Sequence, residues 1–463
     1  MASVMEQTMH AFLLETEELT ERVNELPYVT AVELYDLLDV SAKSVTANIR
    51  NVNAQLRVEI CARQDALLER IVDLQKMTGG GYSIPDRSQG VYTPAVHDYR
   101  RWTNTELLKD KCLTGYTLAK TVGAKPVQYF CDGAADNSYA RELPGLEILY
   151  TDEPAGTPHA YEAHLQKEYR QMDALILHGM YGKTIDFLDA YRKRRPDGRV
   201  YCGLDMNSYW MARIPWEHPA VQRFARQCDV VATSCSSLRD ALNMNPNVGF
   251  PCRWMPNGFY NAGNLAVEAD ADRKENVILT VGRIGTAQKN NEELLRAFAR
   301  VSARLPGWTV RLVGPIEPGF QPFINDYFTK HPDLVGRVVF TGAIVDKKEL
   351  FAEYARARVF ALTSQSEGFP NVYAEALVHG CMFVTSDIDA ASDITCDETL
   401  GITYPLGDGG ALERALLTLS QITDRARVRT HIENALAYAR RYFDWNRNAE
   451  KLAYMLYRNC WAG

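Results

Sequence analysis

Glu367-Gly368-Phe369-Pro370-Asn371-Val372-Tyr373-Ala374-Glu375 is the stretch on which the reading of this chain turns. An apolar, β-branched run, Val359–Thr363, precedes it and reads as a buried strand. Tyr373–His379 follows as a helical run and stops at Gly380, a residue suited to a helix C-terminus. The segment is therefore the crossover from a strand's carboxyl end to a helix's amino end, where open α/β sheets bind ligands. Uncapped backbone N–H groups and the positive end of the helix dipole make such a point receptive to phosphate. Gly368 allows a ligand close to the backbone, and Pro370 suits the first helical turn. Two carboxylates, Glu367 and Glu375, flank this anion site. An ionised carboxylate only accepts hydrogen bonds, so it suits sugar hydroxyls. Sugar, diphosphate and ribose in series would match the segment, with Glu367 on the sugar and Glu375 on the ribose. The bland alternative is a carboxylate at a helix start with a solvated neighbour.

Working outward, strand-like and helical runs alternate on both sides. From Asn276 the strands are Val277–Val281, Trp308–Val313, Val338–Thr341, Val359–Thr363 and Met382–Ser386. Helices lie at Asn291–Ala303, Lys347–Ala355 and Tyr373–His379, then at Gly409 to about Leu419, Arg425–Arg440 and Asn446–Asn459. Asn290 with Glu293, and Asp346 with Glu349, read as capping boxes. An earlier alternation has strands at Gly90–Val96, Pro126–Asp132, Leu146–Thr151, Ala174–His178, Val200–Asp205, Val230–Ser234 and Arg253–Met255. Its helices are Thr105–Val122, His159–Met172, Thr184–Arg194 and His218–Arg226. This spacing argues two doubly wound parallel sheets. A polar linker, Asn261–Asp272, separates them, which implies a cleft between two Rossmann-like domains.

The first 85 residues or so differ. Phe12, Leu19, Val23 and Leu26 form one helical stripe, and Val45, Ile49, Val52, Leu56, Ile60, Leu67, Ile71 and Leu74 a longer one. They predict an amphipathic hairpin or small bundle that caps its own catalytic domain, meets a second copy or binds a partner protein. Thr78–Gly81 and Pro85–Gly90 break the helix. The domains expected are thus a helical extension over 1–88, a first Rossmann-like domain over 89–262 and a second over 263–443, with the final helix, 444–463, returning to the first.

Composition narrows the partners. The 463 residues are 46% hydrophobic, enough for two or three globular domains, and the net charge of −7 carries no footprint for nucleic acid. No apolar run approaches the ~20 residues of a membrane span, and the N-terminus lacks a signal-peptide pattern. The ten cysteines sit singly, as reduced thiols of a cytoplasmic protein do.

The strand Val277–Val281 ends in Gly282-Arg283-Ile284-Gly285, and Lys289 follows. Both cations fall in a strand-to-helix loop facing the same cleft as Glu367. Transfer of a sugar from a nucleotide diphosphate leaves negative charge on the departing diphosphate, which fixed cations stabilise without a metal. Together, Gly282-Arg283-x5-Lys289 and Glu367-x7-Glu375 resemble the marks of the retaining GT-B glycosyltransferases of glycosyltransferase family four. Asp229–Asp240, Met255-Pro256-Asn257-Gly258 and Phe340-Thr341-Gly342 are similar too, and the resemblance covers roughly residues 90 to 463. It implies a GT-B fold, with a C-terminal donor domain and an N-terminal acceptor domain. Arg283 and Lys289 would contact the diphosphate, Glu367 the sugar and Glu375 the ribose. The amides of Asn371 and Val372 would face phosphate, beside Gly282, Gly368 and Phe369, and the loop Gly342-Ala343-Ile344 would hold the base. Attack on the front face needs no side-chain nucleophile and no cofactor.

The acceptor side departs from the pattern. Tyr201-Cys202-Gly203-Leu204-Asp205 lacks the family's strand-end His, so His178, Asp205 and Asn207 stand as candidate acceptor groups. The glycine-rich first loop is missing as well, with Thr93-Pro94-Ala95 near its place. The expected activity is transfer of a sugar from a nucleotide-diphosphate sugar to a hydroxyl of a glycan, lipid or protein, in the cytoplasm or at the membrane periphery. An epimerase on the same fold is opposed by the paired glutamates. A non-catalytic subunit binding a partner glycosyltransferase or a protein client is the alternative from another class. Asp387-Ile388-Asp389 keeps a metal site in view.

Overall fold

The computed structural model describes residues 31–82, 89–94, 104–130, 138–150 and 164–462. Two parallel sheets organise it. The first contains β1 (Gly90–Pro94), β2 (Lys125–Phe130), β3 (Glu147–Tyr150), β4 (Met172–His178), β5 (Arg199–Leu204), β6 (Val230–Thr233) and β7 (Arg253–Trp254), in the order β3-β2-β1-β4-β5-β6-β7. The second contains β8 (Glu275–Val281), β9 (Thr309–Val313), β10 (Val338–Gly342), β11 (Ala357–Leu362), β12 (Met382–Ser386) and β13 (Gly401–Tyr404), in the order β10-β9-β8-β11-β12-β13. Each reverses its winding once, between β1 and β4 and between β8 and β11, which leaves a crevice at the strands' carboxyl ends. Strands covered on both faces read as unbroken apolar runs; Ala174-Leu175-Ile176-Leu177 in β4 is wholly buried.

The helices are α1 (Ala31–Thr78), α2 (Asp110–Val122), α3 (Gly182–Arg194), α4 (Pro219–Gln227), α5 (Ser236–Met244), α6 (Asn291–Val301), α7 (Gln321–Lys330), α8 (Lys347–Arg356), α9 (Asn371–Val378), α10 (Gly409–Ser420), α11 (Arg425–Tyr442) and α12 (Trp445–Tyr457), with shorter turns between. Although α12 comes last in the chain, its Leu452, Ala453 and Tyr457 share a core with Val91, Ala174 and Ile176 of the first sheet. The Tyr457 hydroxyl donates to Asp173 Oδ2 at 2.7 Å.

Several local expectations change. Residues 164–168 are helical, but Met172 opens β4 rather than closing a helix. Asn290 is left-handed (φ 46°), and its amide donates to Glu293 Oε2 at 2.6 Å instead of accepting from the backbone. Asp346 does cap α8, accepting from Glu349 N at 3.0 Å. Periodicity alone missed α5, α7 and β13.

Within the extension, Ala31–Thr78 is one continuous helix, and the first arm of the expected hairpin or bundle lies outside the described residues. The Phe12–Leu26 stripe and residues 95–103 of the first loop lie outside the described residues. α1 packs against α5 and α12, and the expected stripe is only partly covered, with Val52, Leu56 and Ile71 half-buried. Ile60, Leu67 and Leu74 are 41%, 53% and 59% exposed, while Ala54, Cys61, Leu68 and Val72 are buried. Charge sets this rotation. Asp65 accepts from Arg239 at 3.1 Å and Arg253 at 2.8 Å. Glu69 accepts from Arg447 at 2.7 Å and pairs with Lys451. Leaving buried cations unpaired costs more than exposing a few leucines.

Candidate functional site

β8 and β11 are neighbours at the second sheet's switch point, and the loops leaving them are stitched together. Gln365 N donates to Gln288 O at 2.7 Å, Gln288 Nε2 to Ser366 O at 2.9 Å, and Thr363 Oγ1 to Lys289 O at 3.1 Å. The first loop starts at Gly282, with φ 152° and N–H bonded to Val313 O at 2.9 Å. The outcome is an ion pair between Lys289 Nζ and Glu367 Oε1, both largely buried. Arg283 stays exposed, donating to Gln288 Oε1 at 2.8 Å, and stands outside the cavity wall.

The cavity at this pair measures about 440 Å³ and lies between the two sheets. Gly282, Lys289, Glu367–Val372 and Asn257 contribute to one side, and His178, Asp205, Met206 and Ser234 to the other. Asn257 Nδ2 donates to Phe369 O at 3.0 Å and holds the Glu367 segment from the linker side. A Cβ at Gly368 would fall 2.8 Å from the Met206 carbonyl, so the close approach of the two halves needs glycine there. Pro370 is the N-cap of α9 and offers no side-chain acceptor, leaving the amides of Asn371 and Val372 uncapped.

Eight positions on, Glu375 accepts from Lys347 Nζ at 3.0 Å and Tyr354 Oη at 2.8 Å. Burial and this neighbouring carboxylate push the Tyr354 hydroxyl well above its ordinary pKa. Glu375 faces a second cavity of about 340 Å³, walled by Phe259, Phe351, Val345, Asp346 and Lys347. Tyr139 Oη reaches Val345 O there at 2.8 Å. The loop expected to hold the base borders this cavity through its following residues. Ile344 packs against the second domain's core and Gly342 O accepts from Gly314 N, so Val345 and Asp346 present themselves instead.

On the first domain's side, His178 ends β4 buried in the cavity wall. Asp205 lines it as well, with Lys111 Nζ 3.8 Å from its carboxylate. Asn207 does not; its Oδ1 caps the turn Ser208–Met211 by accepting from Trp210 N at 3.1 Å. Asp110, Lys109 and Lys111, at the start of α2, were missed. Asp110 bonds the Asn371 side chain, and burial raises its carboxyl pKa against the pull of Lys111. The signal in the sequence was an acidic residue opening the first helix after β1, at a sheet's carboxyl end.

The Asp387–Asp389 segment is a domain contact. Asp389 Oδ2 accepts from Ser208 N at 2.7 Å, and its carbonyl accepts from Ser237 Oγ at 2.6 Å. Asp393 accepts from Ser236 N at 2.7 Å and caps α5 from the opposite domain. Among the described residues no three His, Cys, Asp or Glu converge as metal ligands. Burial pushes the Asp393 carboxyl from 3.8 up to about 6, against Ser236 and Arg239 and helped by Asp397. A raised folded-state pKa contributes stability that is full below the unfolded value and lost as pH rises through about 6. Relative to Asp393→Asn, the wild type should therefore gain up to about 3 kcal/mol between pH 7.5 and pH 4. Denaturant midpoints of both proteins across that range check this; a pH-independent difference refutes it.

Residues 275–421, most of the second domain, match the family model described as glycosyl transferases group 1. Over 167 residues the chain is 27% identical to a lipopolysaccharide core biosynthesis mannosyltransferase of Rhizobium leguminosarum bv. viciae, covering 36% of this chain and 46% of that protein. Over 198 residues it is 27% identical to a phosphatidyl-myo-inositol mannosyltransferase of Mycolicibacterium smegmatis, covering 42% and 48%. The match thus spans about half the length of these curated relatives. Among solved structures, sucrose-phosphate synthase from Thermosynechococcus elongatus superposes with a TM-score of 0.58 at 19% identity, over 75% of this chain and 91% of that one. Anabaena HepE in complex with UDP superposes with a TM-score of 0.59 at 18% identity, over 79% and 98%. The fold is GT-B. In this GT-B chain no described helix is long and apolar enough to cross a membrane.

Proposed function

We propose that this chain is a retaining, metal-independent glycosyltransferase of glycosyltransferase family four that uses a nucleotide-diphosphate sugar. The observation that carries the reading is the Lys289–Glu367 pair at the β8/β11 switch point, beside the uncapped start of α9. Along the cleft, Glu367 takes the sugar hydroxyls. Lys289, Arg283 and the amides of Asn371 and Val372 take the diphosphate. Glu375 takes the ribose, and the cavity at Phe259, Phe351 and Val345 takes the base. Glu367 and Glu375 are held by Lys289 and Lys347. The two carboxylates are therefore aimed along the cleft by fixed cations. The anomeric carbon–phosphate oxygen bond breaks while the acceptor oxygen bonds the same face of that carbon. The acceptor proton passes to the departing diphosphate, whose charge Lys289 and the α9 dipole stabilise. These groups supply the charge a metal would bring. The mannosyltransferase relatives and the UDP-bound neighbour agree with a nucleotide-sugar donor.

The test separates the two glutamates. Ribose belongs to both donor and released nucleotide, so Glu375→Gln should weaken UDP or GDP binding by roughly 1.5–3 kcal/mol in calorimetry. Sugar belongs to the donor alone, so Glu367→Gln should spare nucleotide binding and reduce turnover, measured as donor hydrolysis or transfer. Equal loss of nucleotide affinity in both variants overturns this orientation. Nucleotide binding with no turnover in the wild type would favour a non-catalytic subunit.

A further inference from the structure

The first domain leaves a group of aromatic rings in water beside the cleft. Tyr181, Tyr209 and Trp210 are 44%, 52% and 58% exposed. Tyr209 and Trp210 meet edge to face, with centroids 5.3 Å apart and planes at 88°. The Arg213 guanidinium lies 3.3 Å from the Tyr209 centroid, and its Nη1 donates to Tyr209 O at 2.8 Å. Tyr209 and Trp210 sit on the turn Ser208–Met211, which follows directly from the cavity-lining residues Asp205 and Met206.

This turn is fixed at three points. Asn207 Oδ1 caps it through Trp210 N, Asp389 Oδ2 accepts from Ser208 N at 2.7 Å across the cleft, and the Met206 carbonyl abuts Gly368. Tyr181 Oη donates to Asp205 O at 3.5 Å, bringing the third ring to the same rim. Tyr209 and Trp210, both more than half exposed, are therefore held in place beside the cavity-lining residues Asp205 and Met206, with Arg213 against one face of Tyr209.

A pyranose has an apolar face of C–H bonds and a rim of hydroxyls. The C–H face suits the electron-rich face of an aromatic ring, and the hydroxyls suit a nearby carboxylate and amide acceptors. Tyr209 and Trp210 supply the former, and Asp205, half exposed at the cavity wall, supplies the latter. A lipid chain would need a continuous apolar surface, whereas these rings are interrupted by Asp205, Asn207, Ser208 and Arg213. We infer that Tyr209 and Trp210 form a stacking platform for a saccharide acceptor, with a neighbouring sugar ring resting on them while the reacting hydroxyl enters the cavity toward Glu367. This inference rests on the glycosyl-transfer reading and adds the acceptor's chemical class to it.

Saturation-transfer NMR on the full chain, with maltotriose, mannotriose and chitotriose as probes, tests it. Saturation should reach the ring C–H protons of at least one trisaccharide. It should fall at least fivefold in Trp210→Ala and in Tyr209→Ala, while calorimetry gives unchanged UDP and GDP affinity, which also reports intact folding. No saturation of any trisaccharide by the wild type, or equal saturation in Trp210→Ala, overturns the platform. Trp210-dependent sedimentation with phosphatidylglycerol vesicles, without trisaccharide saturation, overturns it in favour of a lipid surface. Trisaccharide saturation lost in Trp210→Ala, with no binding of either nucleotide by the wild type, upholds the platform and fails the donor reading instead.

Discussion

Replacing Lys289 by alanine should lower kcat by about 10²- to 10³-fold, the scale of losing one preorganised electrostatic group at the reacting centre. The ammonium is largely buried against Glu367, in a loop pinned to the neighbouring loop through Gln288, Gln365 and Thr363. It needs no reorganisation when the diphosphate departs, and little water screens it. Arg283 is exposed and tied to Gln288, so Arg283→Ala should cost less than Lys289→Ala. Activity should persist in a chelator. Steady-state transfer or donor hydrolysis measures all three. Turnover of Lys289→Ala within threefold of wild type would remove the diphosphate role, and loss of activity with chelator would remove the metal-free mechanism.

A Glu69→Ala substitution should destabilise the protein by about 3–5 kcal/mol, the range for removing one partner of a buried ion pair. Glu69 is buried between Arg447, with two donors at 2.7 and 2.9 Å, and Lys451. Burial already lowers the Lys451 pKa, so the cation depends on that carboxylate. Leu67→Ala, two residues earlier on the exposed face, should change stability by less than about 0.5 kcal/mol. Urea unfolding of both variants compares them directly. A larger loss in Leu67→Ala would restore the apolar stripe as the packed face. For the same reason, removing residues 1–80 strips the carboxylates from Arg239, Arg253, Arg447 and Lys451 and should yield an unstable body.

Much of the architecture was legible because parallel strands buried on both faces write themselves as apolar runs. Val277–Val281, Ala174–His178 and Met382–Ser386 needed no partner to be recognised. Elements whose pattern is weak or short, such as α5, α7 and β13, escaped. The extension shows where periodicity misleads. Its stripe was genuine in the sequence, yet spacing states only that a face is apolar, not that something covers it. Only folding brings Arg239, Arg253, Arg447 and Lys451, all far along the chain, onto Asp65 and Glu69.

The same division runs through the site. The sequence by itself determined the two alternations of strand and helix. It also determined which residues stand at the strand-to-helix crossovers: Gly282, Arg283 and Lys289 after β8, and Glu367 to Glu375 after β11. Those positions follow from local signals, the end of an apolar run and the start of a helix. Only the tertiary structure decided who meets whom. Lys289 faces Glu367, Lys347 and Tyr354 hold Glu375, Asp110 reaches Asn371, and Asp389 and Asp393 cap turns of the opposite domain. Each of these contacts joins groups far apart in the chain, and Coulombic and hydrogen-bonding partners are set by distance after folding, on which local spacing is silent.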